Sequence, residues 1–71
     1  MTRDYHINVF YSQNDGGYIA DIPALDACSA FGTTPHAALE EVLQAKKAWL
    51  AAARERGIAI PPPRYRPTLY A

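Results

Sequence analysis

The sequence predicts an α+β fold of three antiparallel strands, one helix and a short fourth strand, in the order β-β-β-α-β. Three observations predict it. More apolar and less apolar residues alternate over residues 4–13, which is the two-residue period of a strand. Asn, Asp and two glycines at residues 14–17 are typical of a tight hairpin turn. After Gly32 the spacing becomes that of a helix.

The three antiparallel strands follow from this alternation and from the residues that interrupt it. Residues 4–13 form the first strand, and residues 18–22 form a second strand that stops at Pro23, which cannot donate a hydrogen bond to a sheet. Residues 27–31 form a short third strand that ends at Gly32, so a three-stranded meander is expected. The more apolar face of the first strand consists of Tyr5, Ile7, Val9 and Tyr11.

The helix has start and stop signals. Thr34 can accept a hydrogen bond from an unpaired amide, and Pro35 suits the first turn because its missing N–H is not needed there. Gly57 lies where a helix commonly ends in a left-handed residue. A rotation of about 100° per residue places one apolar stripe towards the sheet. The stripe consists of Ala38, Val42, Ala45, Trp49 and Ala52, flanked by Leu39 and Ala53.

The end of the chain is rich in proline. Residues 58–60 are expected to form the brief fourth strand, and the prolines at 61–63 should adopt extended polyproline-II backbone. The chain is therefore divided into one α+β domain, residues 1–63, and an extended C-terminal tail, residues 64–71.

Size and composition favour a small cytoplasmic protein that associates with itself. A chain of 71 residues has little stability in reserve, so self-association is expected. Seven basic and seven acidic side chains give a net charge of zero, which argues against broad attraction to nucleic acid or an anionic membrane. Cys28 is the single cysteine, and the sequence shows neither a signal peptide nor an apolar run of membrane-spanning length.

A second apolar surface lies on the shoulder of the predicted helix. Leu43 and Leu50 lie beside the main stripe, with Lys46 between them and the stripe. A lysine there must extend its stem along apolar surface and keep its ammonium in water, so this shoulder is not expected to be the centre of the core. Two interpretations stay open: the leucines simply border the sheet, or they belong to a subunit or partner interface.

No catalytic, metal-binding or cofactor-binding constellation is predicted. His6 and His36 lack the short spacing to other ligand residues that marks a metal site. Cys28 has no basic neighbour in sequence that would activate its thiol, so a small buried side chain is expected. Acidic residues that a two-metal nuclease would need are not expected to converge on one point. They are Asp4, Asp15, Asp21, Asp26, Glu40 and Glu41.

The order of these signals resembles the small partial RNase H-like domain of HicB-type antitoxins over residues 5–63. The strongest matches are Gly17-Tyr18, Pro23, Gly32-Thr33, Ala38-Leu39 and Ile60-Pro61. The resemblance implies that the protein neutralises a small HicA-type toxin, an RNA-cleaving protein, by covering its active surface. Many relatives continue into a DNA-binding domain, whereas this chain stops eight residues after Pro63, so direct DNA binding is not expected.

The predicted function is thus that of a non-catalytic protein-binding module, an antitoxin of a type II toxin-antitoxin system. Its expected partners are further copies of itself and a small basic HicA-type toxin. The candidate interface residues are Leu43, Lys46 and Leu50 on the helix and Arg64, Tyr65 and Arg66 in the tail. Two alternatives stay open: an orphan structural homo-oligomer of the same family, and a nucleic-acid-binding or nuclease domain. The basic and aromatic tail residues are a signal for nucleic-acid binding, and a nuclease would use the acidic side chains.

Overall fold

The computed structural model describes residues 5–62, in which three strands form one antiparallel sheet and a single helix packs against it. The elements are β1 (Asn8–Ser12), β2 (Gly17–Asp21), β3 (Ser29–Gly32) and α1 (Pro35–Arg56). The strand order is β1-β2-β3, so β2 is central and β1 and β3 are the edges. The predicted α+β architecture of a three-stranded antiparallel meander and one helix is confirmed.

The hairpin between β1 and β2 is closed by its own turn residues. The Ser12 hydroxyl donates to the Asp15 carboxylate at 2.8 Å and accepts from the Asp15 amide at 3.3 Å. The Gly16 amide donates to the Ser12 carbonyl at 2.9 Å, and Gly16 has a φ of 69°, a value that glycine adopts at no steric cost. The predicted turn is therefore present, and it fixes the register of the sheet.

The core lies between α1 and one face of the sheet. Its central cluster consists of buried small and aliphatic residues: Ala20, Ile22, Leu25, Cys28, Ala38 and Val42. Partly buried apolar side chains pack around it, including Tyr18, Leu39 and Trp49. Because α1 packs mainly against β3 and β2 and only marginally against β1, the helix lies off-centre over the sheet.

The loop from β2 to β3 is a compact part of this core. Its main chain is closed by three hydrogen bonds, from the amide of Ile22 to the carbonyl of Cys28, from Leu25 to Ile22, and from Cys28 to Leu25, at 2.9, 3.0 and 3.2 Å. The Trp49 indole N–H donates to the Asp26 carbonyl at 2.9 Å and ties this loop to the helix. Ala27 has a φ of 59°, which is unusual for a residue with a side chain.

Both predicted ends of the helix are confirmed. The Thr34 hydroxyl accepts a hydrogen bond from the Ala37 amide at 3.0 Å. At the other end, Gly57 is left-handed with a φ of 68°, its amide donates to the Arg54 carbonyl at 3.3 Å, and the Ile58 amide donates to the Ala53 carbonyl at 2.9 Å. This pair of hydrogen bonds satisfies carbonyls that the last turn would leave unpaired.

The predicted apolar stripe needs one correction. Ala53 is buried and Ala52 is exposed, although Ala52 was assigned to the stripe and Ala53 to its flank. The reason is rotational: Ala53 lies only about 20° around the helix from Val42, the fully buried centre of the stripe, whereas Ala52 lies about 80° away.

The strand predicted at residues 58–60 is not formed, and the first strand is shorter than predicted because it begins at Asn8. The Ile58 amide is already used by the helix cap, and Pro61 and Pro62 have no amide to donate. Pro61 is held differently, since its carbonyl accepts a hydrogen bond from the Tyr5 hydroxyl at 2.5 Å. The predicted tail, residues 64–71, lies outside the described residues.

Candidate protein-binding surface

The face of the sheet opposite α1 carries a row of large apolar side chains. The register pairs Phe10 with Ile19 across β1 and β2, and Ile19 with Phe31 across β2 and β3. Because side chains alternate along a strand and the neighbouring Ala20 and Ala30 face the core, these three residues point away from the helix. Phe10 is 50% exposed and Phe31 is 43% exposed. We call Phe10, Ile19 and Phe31 the outer row.

The Phe31 ring is held in place by a glycine beneath it. A Cβ atom on Gly17 would lie 2.5 Å from Cζ of Phe31 and 2.9 Å from the Gly32 carbonyl oxygen, so the ring occupies the space that a side chain would take. Gly17 is buried as a result, although it lies on the outer face. One side of the Phe31 ring is thus packed on backbone, while the residue as a whole remains exposed.

Polar residues border the outer row. On one side the register aligns Asn8, Asp21 and Ser29 across the three strands, and on the other side Ser12 pairs with Gly17. An exposed apolar strip with a polar border is the usual anatomy of a protein-binding surface. The outer row is therefore the candidate protein-binding surface of the described residues.

Strand β1 also exposes apolar side chains on its other face. Val9 and Tyr11 point to the helix side of the sheet, where α1 covers β1 only marginally, and they are 40% and 55% exposed. The Tyr11 ring meets the Tyr18 ring edge to face, with centroids 5.3 Å apart and an interplanar angle of 71°. Consequently, β1 presents large apolar residues on both faces.

The helix residues predicted as an interface differ in their burial. Leu43 is exposed, at 36% of its surface, whereas Leu50 is partly buried and packs against the core cluster. Lys46 is also partly buried. The three residues lie on one side of α1, and Leu43 is the more exposed of the two leucines. Arg64, Tyr65 and Arg66 lie outside the described residues.

The titratable residues of the described chain are dispersed. Across residues 5–62, no group of three or more His, Cys, Asp or Glu side chains comes together in a way that could hold a metal ion. The ring nitrogen Nε2 of His6 lies 2.7 Å from the Asn8 side-chain oxygen, and Nε2 of His36 lies 3.4 Å from the Glu40 carboxylate on the exposed helix surface.

Cys28 is buried in the core cluster, as predicted. Burial raises the pKa of its thiol above the ordinary value of 9.0, and the charge of Lys46 acts in the opposite direction. The influence of Lys46 could not be inferred from sequence neighbours, because 18 positions separate the two residues and only the packing of α1 on the sheet brings them near each other.

A relative among the curated proteins decides the family. UPF0150 protein ssl0259 of Synechocystis sp. is 40% identical to this chain over 53 residues, which are 75% of this chain and 73% of the relative. The chain belongs to the UPF0150 family. No protein-family model matches the chain, and no solved structure matches it. In the part of this UPF0150 protein that the structure describes, no helix is long and apolar enough to cross a membrane.

Sequence reasoning missed the outer row of this UPF0150 protein. Phe10 is not among the residues that predict the more apolar face of the first strand, and Phe31 is only the last residue of the predicted third strand. The signal that identifies the row is the alternation of side chains between the two faces of a strand. Each strand has one large apolar residue on the face opposite to Val9, Ala20 or Ala30, which face the helix. Aligning the three strands across their turns would have placed Phe10, Ile19 and Phe31 together.

Proposed function

We propose that this UPF0150 protein is a non-catalytic protein-binding module that acts in the cytoplasm as a type II antitoxin. Its partner is a small basic RNA-cleaving toxin of the HicA type. The order of the sequence motifs supports the proposal through its resemblance to HicB-type antitoxins, and membership of UPF0150 is compatible with it. An unpaired buried cysteine, Cys28, fits a reducing compartment.

The observation that carries the proposal is the outer row. Large aromatic side chains supply much of the binding energy of protein interfaces, above all where they are already ordered before binding. Phe31 satisfies both conditions because its ring packs on Gly17 while the residue stays 43% exposed. Asp21 lies in the polar border of the row and offers a carboxylate to a basic partner. A toxin bound there would have its active surface covered by the sheet.

An inhibition assay tests this function. A purified HicA-type toxin is incubated with RNA and increasing amounts of the protein, and cleavage is followed on a gel. We expect cleavage to stop at a defined stoichiometry. Replacing Phe31 with lysine should weaken inhibition at least tenfold, because it removes an aromatic contact and adds a positive charge opposite a basic partner. Gln44→Lys is the matched control, since it adds the same charge at an exposed position of α1.

The result separates the proposal from its alternatives. Full toxin activity in the presence of folded wild-type protein would reject the antitoxin function and leave a structural homo-oligomer, for which the doubly exposed strand β1 is the favouring observation. RNA cleavage by the protein alone, abolished by Asp21→Asn, would support the nuclease alternative instead. Equal inhibition by the Phe31→Lys and Gln44→Lys variants would show that the outer row is not the toxin-binding surface.

A further inference from the structure

Among the residues that the structure describes, strand β1 has a partner strand on one edge only. In an antiparallel pair, every second residue directs its amide and carbonyl away from its neighbour. Within residues 5–62, β1 pairs with β2 alone, so these outward groups form a row that matches the edge of another strand. Such a row selects an extended chain as its partner, because only another strand can satisfy donors and acceptors at this spacing.

In the described part of the chain, this edge also lacks the features that prevent strand pairing. Native edge strands are commonly protected by lysine, by proline, by a bulge or by a covering helix. The segment Asn8–Ser12 contains no charged residue and no proline, it pairs residue for residue with β2, and α1 covers it only marginally. The other edge strand, β3, lies beneath the helix.

We propose that β1 pairs with β1 of a second copy of this chain, antiparallel and centred on Phe10. A two-fold axis at Phe10 places the two Phe10 side chains opposite each other. It also places Val9 opposite Tyr11 and Asn8 opposite Ser12, so every apolar residue meets an apolar one and every polar residue a polar one. Moving the axis by one residue in either direction would place Phe10 opposite Asn8 or Ser12. The strand is therefore self-complementary in one register, as a two-fold interface requires.

The pairing explains the exposure on both faces of β1. On the helix side, Val9 and Tyr11 of one copy cover Tyr11 and Val9 of the other, which forms aromatic and β-branched cross-strand pairs. On the opposite side the two outer rows join into one continuous apolar row across six strands. A net charge of zero gives no overall repulsion between the copies. Phe31 lies at each end of the joined row. The pairing of two copies involves no toxin, so this inference goes beyond the proposed function and does not depend on it.

The mass of the protein in solution is the first test. Light scattering after size exclusion should give twice 7.8 kDa for the full chain. Phe10→Lys should halve that mass, because it places two like charges opposite each other on the axis. Gln44→Lys should leave the mass unchanged, and circular dichroism should show that both variants are folded. A monomeric wild-type protein, or a Phe10→Lys variant that is folded and still dimeric, would overturn the proposal.

Cysteine cross-linking tests the register. Directly opposite residues have Cα atoms about 4.5–5.5 Å apart, which suits a disulfide. Under mild oxidation, Phe10→Cys should form a covalent dimer by itself. Asn8→Cys and Ser12→Cys should each stay uncrosslinked, because their own copies lie about 13 Å away at four residues' offset, whereas a mixture of the two should crosslink.

The wild-type chain is the control for this experiment, since Cys28 is buried and should form no bridge. A dimer by mass in which Phe10→Cys does not crosslink would reject the β1 interface and direct attention to another surface, such as the one around Leu43. Neither measurement involves a toxin, so failure here and failure of the antitoxin function are distinguishable.

Discussion

Gly32 lies against the main chain of the first helical turn at Ala38. A Cβ atom on Gly32 would fall within 2.6 Å of the Ala37 carbonyl carbon and 2.7 Å of Ala38 Cα, and closer still to the Ala38 nitrogen. Every one of these atoms belongs to backbone, so no side-chain rotation can make room. This contact sets how closely α1 approaches β3, and it explains why a glycine ends that strand two residues before the helix cap.

Replacing Gly32 with alanine should therefore destabilise the protein strongly. The helix must move away from β3, and we expect a loss of about 3 kcal/mol in the free energy of unfolding, at the upper end of overpacking costs. Gly16→Ala is the comparison, because its Cβ would meet nothing within 4 Å and the cost there comes only from its positive φ, at about 1 kcal/mol. Urea unfolding of both variants measures the difference, and equal losses would contradict the backbone contact.

The packing of Phe31 on Gly17 predicts coupling between these two residues. Gly17→Ala should destabilise the protein by about 1–2 kcal/mol, because the new methyl group displaces the Phe31 ring and presses on the Gly32 carbonyl. In a Phe31→Ala background the ring is gone, so the same change should cost less. A double-mutant cycle measured by denaturant unfolding gives the coupling energy. Strict additivity would show that the ring does not rest on the glycine.

Ala27 holds a left-handed conformation without being a glycine. That conformation costs an L-residue roughly 1–2 kcal/mol, whereas glycine costs more to order from the unfolded chain, so Ala27→Gly should raise stability by roughly 0.5 kcal/mol. The matched change Ala51→Gly, at an exposed position within α1, should lower stability by about 1 kcal/mol. Thermal and urea unfolding measure both. A loss of stability at both positions would contradict the strain assigned to Ala27.

The hydrogen bond from Trp49 to the Asp26 carbonyl predicts a local role for the indole. Trp49→Phe keeps an aromatic ring but removes the N–H donor, so we expect a loss of about 1 kcal/mol. Amide hydrogen exchange should then accelerate at Leu25 and Cys28, whose amides close the loop that the indole ties to the helix. Exchange that accelerates uniformly over the whole chain would indicate global destabilisation instead.

The burial of Cys28 predicts a loss of stability at alkaline pH. A thiol whose pKa is raised by folding binds its proton more tightly in the native state. Its contribution is complete below the ordinary pKa of 9.0 and is lost as the pH rises through that value and then through the raised one. The free energy of unfolding should therefore fall above pH 9.0, and this part of the fall should be absent in Cys28→Ala.

An NMR titration of the folded protein checks the electrostatic part of that argument. Lys46→Met should raise the pKa of Cys28 further, because the charge of Lys46 lowers it. Lys47→Met removes the same charge from an exposed neighbouring position and should leave the pKa nearly unchanged. The ¹³Cβ chemical shift of Cys28 as a function of pH reports the pKa of the buried thiol, and identical profiles for the two variants would exclude the influence of Lys46.

Local signals predicted the fold, whereas the candidate site depended on relations between strands. Thr34 and Gly57 form their capping hydrogen bonds with residues three positions away, so the sequence alone could predict both helix ends. The outer row depends on the register of three strands, which is decided by the hairpin turn and by the close fit of Gly32 under the helix. The strand expected at residues 58–60 is absent because the Ile58 amide donates a hydrogen bond to the Ala53 carbonyl. The apolar composition of the segment does not predict this hydrogen bond.

The hydrogen bond between Tyr5 and Pro61 joins residues at opposite ends of the described chain. Residues 5 and 61 are therefore close together in space, at a separation that a short linking peptide could span. The chain can then be cut at an exposed turn such as residues 13–16, and the register of β1 on β2 must be held by packing in place of the turn's own hydrogen bonds. A circularly permuted chain that starts there, with β2 first and β1 last, would retain the strand pairs, the helix and its contacts, and would carry β1 as its final element.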